Sequence, residues 1–155
     1  MGCQVISLDL FGDPIAQIRP KFSKRGEFVQ VYDPQSKLKE GFRWQIRSQY
    51  REDPLTIPIA LDIIFYMPIP KSTSGIKKRQ MANGVIQHIK KPDIDNLQKL
   101  ILDCLSEIVF HDDSQIVEIR AKKIYSTKPG TSIRILPLNV ENKEMLYEDI
   151  ARETR

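Results

Sequence analysis

The chain has 155 residues, with 24 lysines and arginines against 20 aspartates and glutamates and a formal net charge of +4. This length predicts a single domain that buries its own core. The sequence has no run of about 20 apolar residues and no signal-peptide pattern in Met1–Phe11, so we expect a cytoplasmic protein without a membrane partner. With only Cys3 and Cys104, a disulfide framework and a zinc site are excluded, and Cys104 is expected in the core.

The first half of the chain predicts two strands and one helix. Val5–Phe11 alternates weakly and reads as a strand, and Arg19–Arg25 follows as a basic loop. Asp33-Pro34 is typical of a helix start, and apolar residues at four-residue spacing extend that helix to about Arg51. Leu55–Met67 is the strongest predicted strand, because every odd position is apolar.

Within that strand, Pro58 indicates either an edge position or a late start to the pairing. The segment from Lys71 to Lys91 carries six basic residues and no acidic one, and is interpreted as a basic excursion with a short helix near 76–82. Its simplest interpretation is a solvated charged loop. Its direct attachment to the acidic segment that follows favours a functional role.

The second half predicts the clearest helix in the chain, from about Ile94 to Glu107, because its apolar residues repeat with helical spacing. A strand from Gln115 to Tyr125 follows, and Lys128-Pro129-Gly130 predicts a turn into an antiparallel return strand over Thr131–Leu138. Residues 139–155 are expected to form a polar tail. The prediction is therefore one α+β domain over residues 1–138, in the order β-α-β-α-β-β, with a mixed sheet and helices mainly on one face.

Charge is distributed unevenly along the chain. The segment from Asp93 to Glu118 holds seven acidic residues and one basic residue, Lys99, for a net charge of −6, which leaves +10 for the rest. A basic surface favours polyanions, and an acidic cluster within it favours a bound cation. The acidic segment is therefore the candidate site for a bound cation.

Carboxylates in the acidic segment have both structural and functional interpretations. Asp93 or Asp95 could cap the helix, Asp95 and Lys99 could form a surface ion pair, and Asp112-Asp113 could belong to an ordinary turn. Together these carboxylates would repel one another unless a cation joins them. Ligands that are all oxygen select a hard ion, Mg²⁺ or Mn²⁺. Whether the helix and the next strand bring Asp113 to Asp93 is open at this level.

Several motifs together resemble the RusA-type Holliday junction resolvase family over most of Leu8 to Leu138. The resemblance is carried by Lys91-Pro92-Asp93-Ile94-Asp95-Asn96-Leu97-Gln98-Lys99, Leu102-Asp103, Asp112-Asp113-Ser114-Gln115-Ile116-Val117, Arg19-Pro20-Lys21-Phe22 and Tyr32-Asp33-Pro34. It implies a dimeric, Mg²⁺-dependent endonuclease that resolves four-way DNA junctions by paired symmetric nicks. By the same resemblance, Asp93, Asp95 and Asp113 would be the essential carboxylates and metal ligands, and Lys99 the essential lysine.

On that hypothesis, the basic segments bind DNA backbones without reading bases. The residues assigned to this contact are Arg19, Lys21, Lys24, Arg25, Lys71, Lys77, Lys78, Arg79, Lys90 and Lys91. Because a four-way junction has two-fold symmetry and needs two nicks, a homodimer would supply two active sites. The alternatives are a non-catalytic branched-DNA-binding protein that retains the fold, and a structural protein that binds the metal without DNA.

Overall fold

The computed structural model describes residues 4–139, so Cys3 and all but the first residue of the predicted 139–155 tail lie outside the described residues. The elements are β1 (Ile6–Phe11), β2 (Lys21–Arg25), β3 (Phe28–Tyr32), α1 (Ser36–Gln49), β4 (Ile59–Pro68), α2 (Gly75–Ala82), α3 (Ile94–Leu105), a 3₁₀ helix (Asp113–Gln115), β5 (Ile116–Ser126) and β6 (Gly130–Pro137). The predicted α+β class and mixed sheet are confirmed.

A four-stranded sheet in the order β1-β6-β4-β5 forms the centre of the fold. β4 pairs in parallel with β5 and antiparallel with β6, and β1 closes the other side antiparallel to β6. A parallel pair requires a long connection. Here that connection, between β4 and β5, contains α2 and α3, so the predicted basic and acidic segments both lie in one crossover.

Two strand predictions need correction. The return strand β6 was expected to pair with β5, but β4 lies between them. The most apolar strand occupies the middle of the sheet, where both of its edges are bonded, and Pro58 marks a late start because β4 begins at Ile59. The expected loop Arg19–Arg25 is also wrong in part, since residues 21–25 form β2 and pair with β3 in a separate two-stranded hairpin.

The hairpin escaped prediction because its strands bury neither face and so lack the alternation of a half-buried strand. The predicted helices are confirmed, with shifted ends. α3 ends two residues early because Ser106 has a non-helical ψ of 139° and Glu107 has a φ of 63°.

The core lies between α1, α3 and one face of the sheet. Helix α3 buries an apolar stripe there, and β4 contributes its odd-numbered side chains. Cys104 is fully buried, and burial raises the pKa of its thiol to about 11, so it is a core residue as predicted. None of the helices within residues 4–139 is both long and apolar enough to cross a membrane.

Candidate active site

The N-terminus of α3 presents two carboxylates to solvent. Asp93 occupies the N-cap position with an extended backbone, yet its side chain makes no capping hydrogen bond and instead pairs with the ammonium of Lys91. Asp95 follows in the first turn, with its Oδ2 3.6 Å from the Nζ of Lys99. Such an exposed i,i+4 pair adds only about 0.3–0.5 kcal/mol to stability. Both carboxylates and the lysine therefore remain available to a ligand.

Lys123 on β5 fixes the turn that leads into α3. Its Nζ donates to the carbonyl oxygens of Lys90 at 2.7 Å and Pro92 at 2.8 Å, beside the cis peptide bond between Lys91 and Pro92. Because charge-assisted hydrogen bonds are stronger than neutral ones, this ammonium holds the turn against the sheet. The position of Asp93 thus depends on a residue 30 positions later.

The loop before β2 packs against the exposed face of α3. The backbone N–H of Gln17 donates to the carbonyl oxygen of Asn96 at 2.9 Å, and its side-chain amide donates to Asp103 at 3.0 Å. These bonds close a shallow pocket whose lining includes Arg19, Asp95 and Lys99. A guanidinium, a carboxylate and an ammonium from two distant segments therefore meet at one depression on the surface.

Asp103, one turn beyond Lys99, belongs to a structural ion network. The ammonium of Lys39 lies 2.7 Å from Asp33 and 3.0 Å from Asp103, and the lysine side chain is only 14% exposed. Burial lowers the pKa of Lys39, but hydrogen bonds to both carboxylates outweigh it and leave that pKa raised. Asp103 therefore ties α3 to α1.

The adjacent aspartates before β5 have different surroundings. Hydrogen bonds from the side chain of Ser114 and from its backbone N–H, the latter at 2.8 Å, lower the pKa of Asp112. Asp112 also forms a capping box with Gln115. Burial raises the pKa of Asp113, and the negative charges of Asp103 and Asp112 raise it further. Asp112 therefore has a structural role, whereas Asp113 lies close to two other negatively charged carboxylates.

The predicted carboxylate ligands come from two elements. Asp93 and Asp95 lie at the N-terminus of α3, whereas Asp113 lies in the 3₁₀ helix before β5 and interacts electrostatically with Asp103 in the last turn of α3. Within residues 4–139, no three His, Cys, Asp or Glu side chains lie close enough together to hold a metal ion. The assignment of Asp93, Asp95 and Asp113 as shared ligands stays a prediction.

A comparison with known proteins identifies the family of the segment that contains this site. A family model described as Endodeoxyribonuclease RusA matches residues 12–136. The chain belongs to the RusA endodeoxyribonuclease family. It is also similar to the uncharacterized protein YqaN of Bacillus subtilis (strain 168), with 36% identity over 139 residues that cover 87% of this chain and 96% of YqaN.

The residues matched to the RusA family include every basic side chain that we assign to DNA contact, and all ten are exposed. They lie on three structural units. Arg19 precedes the hairpin, which carries Lys21, Lys24 and Arg25. The segment from Lys71 through α2 carries the next four, and the turn before α3 carries Lys90 and Lys91. The third unit and Arg19 directly adjoin the N-terminal end of α3.

Sequence reasoning missed the residues that position this RusA-family site, namely Gln17, Lys39 and Lys123. Lys123 left a readable signal, because it falls on the same face of β5 as Ala121 and Tyr125, where an apolar residue is expected. Gln17 and Lys39 left none, since an uncharged loop residue and an exposed-looking helix lysine are ordinary in any sequence.

Proposed function

We propose that this chain is a divalent-cation-dependent endodeoxyribonuclease that resolves four-way DNA junctions by paired symmetric nicks. The observation that carries the proposal is the pocket at α3, where Arg19 meets Asp95 and Lys99 in a chain of the RusA family. A phosphodiester needs cationic groups to approach an acidic site, and both cations line this pocket.

Different side chains of the pocket would bind the DNA strand and stabilise the charge on its phosphate. Lys99 is well exposed, and its ammonium would neutralise the negative charge that develops on the scissile phosphate. Arg19 would hold a phosphate of the same strand by bidentate hydrogen bonds. Lys123 and Gln17 would keep the two sides of the pocket in place through their bonds to Pro92 and Asn96.

The chemistry of the carboxylates suits a hard cation. Asp113 carries a raised pKa because burial and neighbouring negative charges disfavour its ionised form, and a cation would relieve that repulsion. In this proposal Asp93, Asp95 and Asp113 would hold Mg²⁺, or Mn²⁺ in its place, and their side chains would have to close around the ion because they do not form a cluster without it. The ion would supply an activated water and neutralise phosphate charge.

A homodimer is part of the proposal because the substrate has two-fold symmetry. Two nicks at symmetric positions require two active sites, and a two-fold dimer supplies them in matching orientation. The biological setting that such a reaction serves is DNA recombination and repair.

The test uses a synthetic four-way junction and a linear duplex of the same arm sequence, each incubated with and without Mg²⁺. We expect symmetric nicks on the junction alone, and only with the cation. Asp95→Asn should abolish these nicks while junction binding persists. Glu40→Gln is the matched control, because Glu40 forms an exposed pair with Arg47 on α1 and should leave cleavage unchanged.

Each remaining outcome of this experiment favours a different class of protein. Tight junction binding without any product would indicate a non-catalytic branched-DNA-binding protein. Equal cleavage of junction and duplex would indicate a general nuclease, and Mg²⁺ binding without DNA binding would indicate a structural metal protein.

A further inference from the structure

The hairpin formed by β2 and β3, which we call the hairpin arm (residues 21–32), presents side chains on two faces. Residues directly opposite each other in an antiparallel pair share a face. The register pairs Lys21 with Tyr32 and Arg25 with Phe28 on one side, the aromatic–basic face. Val29 lies on the opposite face, in register with Lys24, and that face also carries Phe22 near the base of the arm, whereas Phe28 lies at the tip and is the most exposed ring of the arm.

The aromatic–basic face is uncovered in the chain. Phe28 is 83% exposed and Tyr32 is 46% exposed, and neither strand of the arm has a fully buried residue. A two-stranded hairpin is marginally stable alone, and exposed aromatic clusters mark binding surfaces. The arm therefore presents a surface built for a partner.

Both ends of the hairpin arm are attached to the helix that carries the candidate active site. Before β2, Gln17 bonds to Asn96, and after β3, Asp33 connects to Asp103 through Lys39. The buried amide of Gln35 joins the two ends, because it accepts from the N–H of Ile18 at 2.9 Å and donates to the carbonyl of Ala16 at 2.8 Å. The arm is thus held in a fixed relation to the pocket.

The length of the arm sets its reach. β2 has five residues, which at about 3.4 Å each make the arm roughly 17 Å long from its base at Lys21, two residues after Arg19, to its tip at Arg25 and Phe28. This distance is close to the width of a DNA duplex. A strand bound in the pocket would therefore extend to a branch point near the tip.

Charge and ring chemistry identify the partner as nucleic acid with accessible bases. The arm carries three cations and one acid, Glu27, so it attracts phosphates. Aromatic side chains bind bases by stacking, which requires a base whose face is free. A linear duplex hides those faces within its stack, whereas the bases at a branch point expose theirs.

We propose that the aromatic–basic face of the hairpin arm binds unstacked bases at the branch point of DNA, and that Phe28 is its stacking residue. This inference rests on the proposed function for its substrate. It adds a source of selectivity for branched over linear DNA that the phosphate contacts cannot supply, because phosphates are the same in both.

The test compares Phe28→Ala with Val29→Ala, a neighbouring exposed residue on the opposite face of the arm. Binding is measured in EDTA on a four-way junction and on a linear duplex. We expect Phe28→Ala to weaken junction binding about 5- to 100-fold, with duplex binding within twofold of wild type. Phe28→Trp should retain junction binding, and Val29→Ala should behave as wild type.

A fluorescent base analogue, 2-aminopurine, at the branch point gives a second readout. Wild type should change its emission on binding, and Phe28→Ala should not. The proposal is wrong if Phe28→Ala weakens both substrates equally, leaves junction binding intact, or shifts the monomer–dimer equilibrium in sedimentation. Cleavage by the wild-type protein is scored separately. A junction that is bound in a Phe28-dependent manner but never cut would retain this inference and reject the nuclease function.

Discussion

The ammonium of Lys123 donates a hydrogen bond of 2.8 Å to the carbonyl oxygen of Pro92, and so joins the edge strand β5 to the residue before Asp93. A strand that follows α3 in the chain thereby fixes the turn that precedes it. This contact therefore helps to determine the position of the carboxylates at the start of α3.

Lys123→Met should destabilise the protein and reduce cleavage together. The substitution keeps the length of the side chain but leaves two carbonyl oxygens without their donor, which costs about 1–3 kcal/mol in the free energy of unfolding. Urea unfolding measures this loss. Lys122→Met, an exposed neighbour on the other face of β5, is the control and should unfold within about 0.5 kcal/mol of wild type. Equal losses in the two variants would contradict the role of Lys123.

His88 should make stability depend on pH. Its ring packs 4.7 Å from that of Tyr125, and burial, followed by the charge of Lys123, lowers its pKa. The unfolded chain therefore binds a proton more readily than the folded one, so stability is full above pH about 6.5 and falls as the pH decreases below it. Urea unfolding at pH 5 and pH 8 should show this slope in wild type and a flatter one in His88→Gln. A slope that survives this substitution but disappears in His111→Gln would assign it to the exposed histidine instead.

Asp113→Asn should raise stability while it abolishes cleavage. The pKa of Asp113 is raised in the folded chain, so stability declines as the pH rises through that pKa, and a neutral amide removes the repulsion. We expect a higher melting temperature at pH 7 and a loss of cleavage of at least about a hundredfold.

Two comparisons sharpen the Asp113 test. Mg²⁺ should raise the melting temperature of wild type more than that of Asp113→Asn, because a bound ligand stabilises only the form that binds it. Asp112→Ala should lower the melting temperature, since it removes the side chain that caps the 3₁₀ helix. An Asp113→Asn protein that melts lower than wild type would overturn the assignment.

Arg19 and Lys99 should separate binding from chemistry although they line the same pocket. Lys99→Gln should slow junction cleavage about 10²–10³-fold with binding little changed, because its charge acts on the transition state. Arg19→Gln should weaken binding and reduce the salt dependence of affinity by about one unit of slope. Binding titrations at several salt concentrations and single-turnover cleavage measure the two effects. Lys128→Gln, in the turn before β6, should change neither.

The sequence by itself determined the elements whose residues carry a local pattern. The apolar stripe of α3, the alternation of β4 and the spacing from Asp93 to Asp113 are all readable along the chain, because helix and strand periods act over a few residues. The stripe and the alternation predicted the mixed α+β fold, and the motifs around Asp93 and Asp113 carry the resemblance to the RusA family.

Only the tertiary structure decided which segments meet. β4 separates β5 from β6, and the hairpin arm stands apart from the main sheet, because strand pairing is chosen among distant segments by burial and edge bonding. The site is likewise assembled by contacts between segments that are distant in the sequence. Lys123 reaches Pro92, and Arg19 lines the same pocket as Lys99, across long sequence separations that no local pattern encodes.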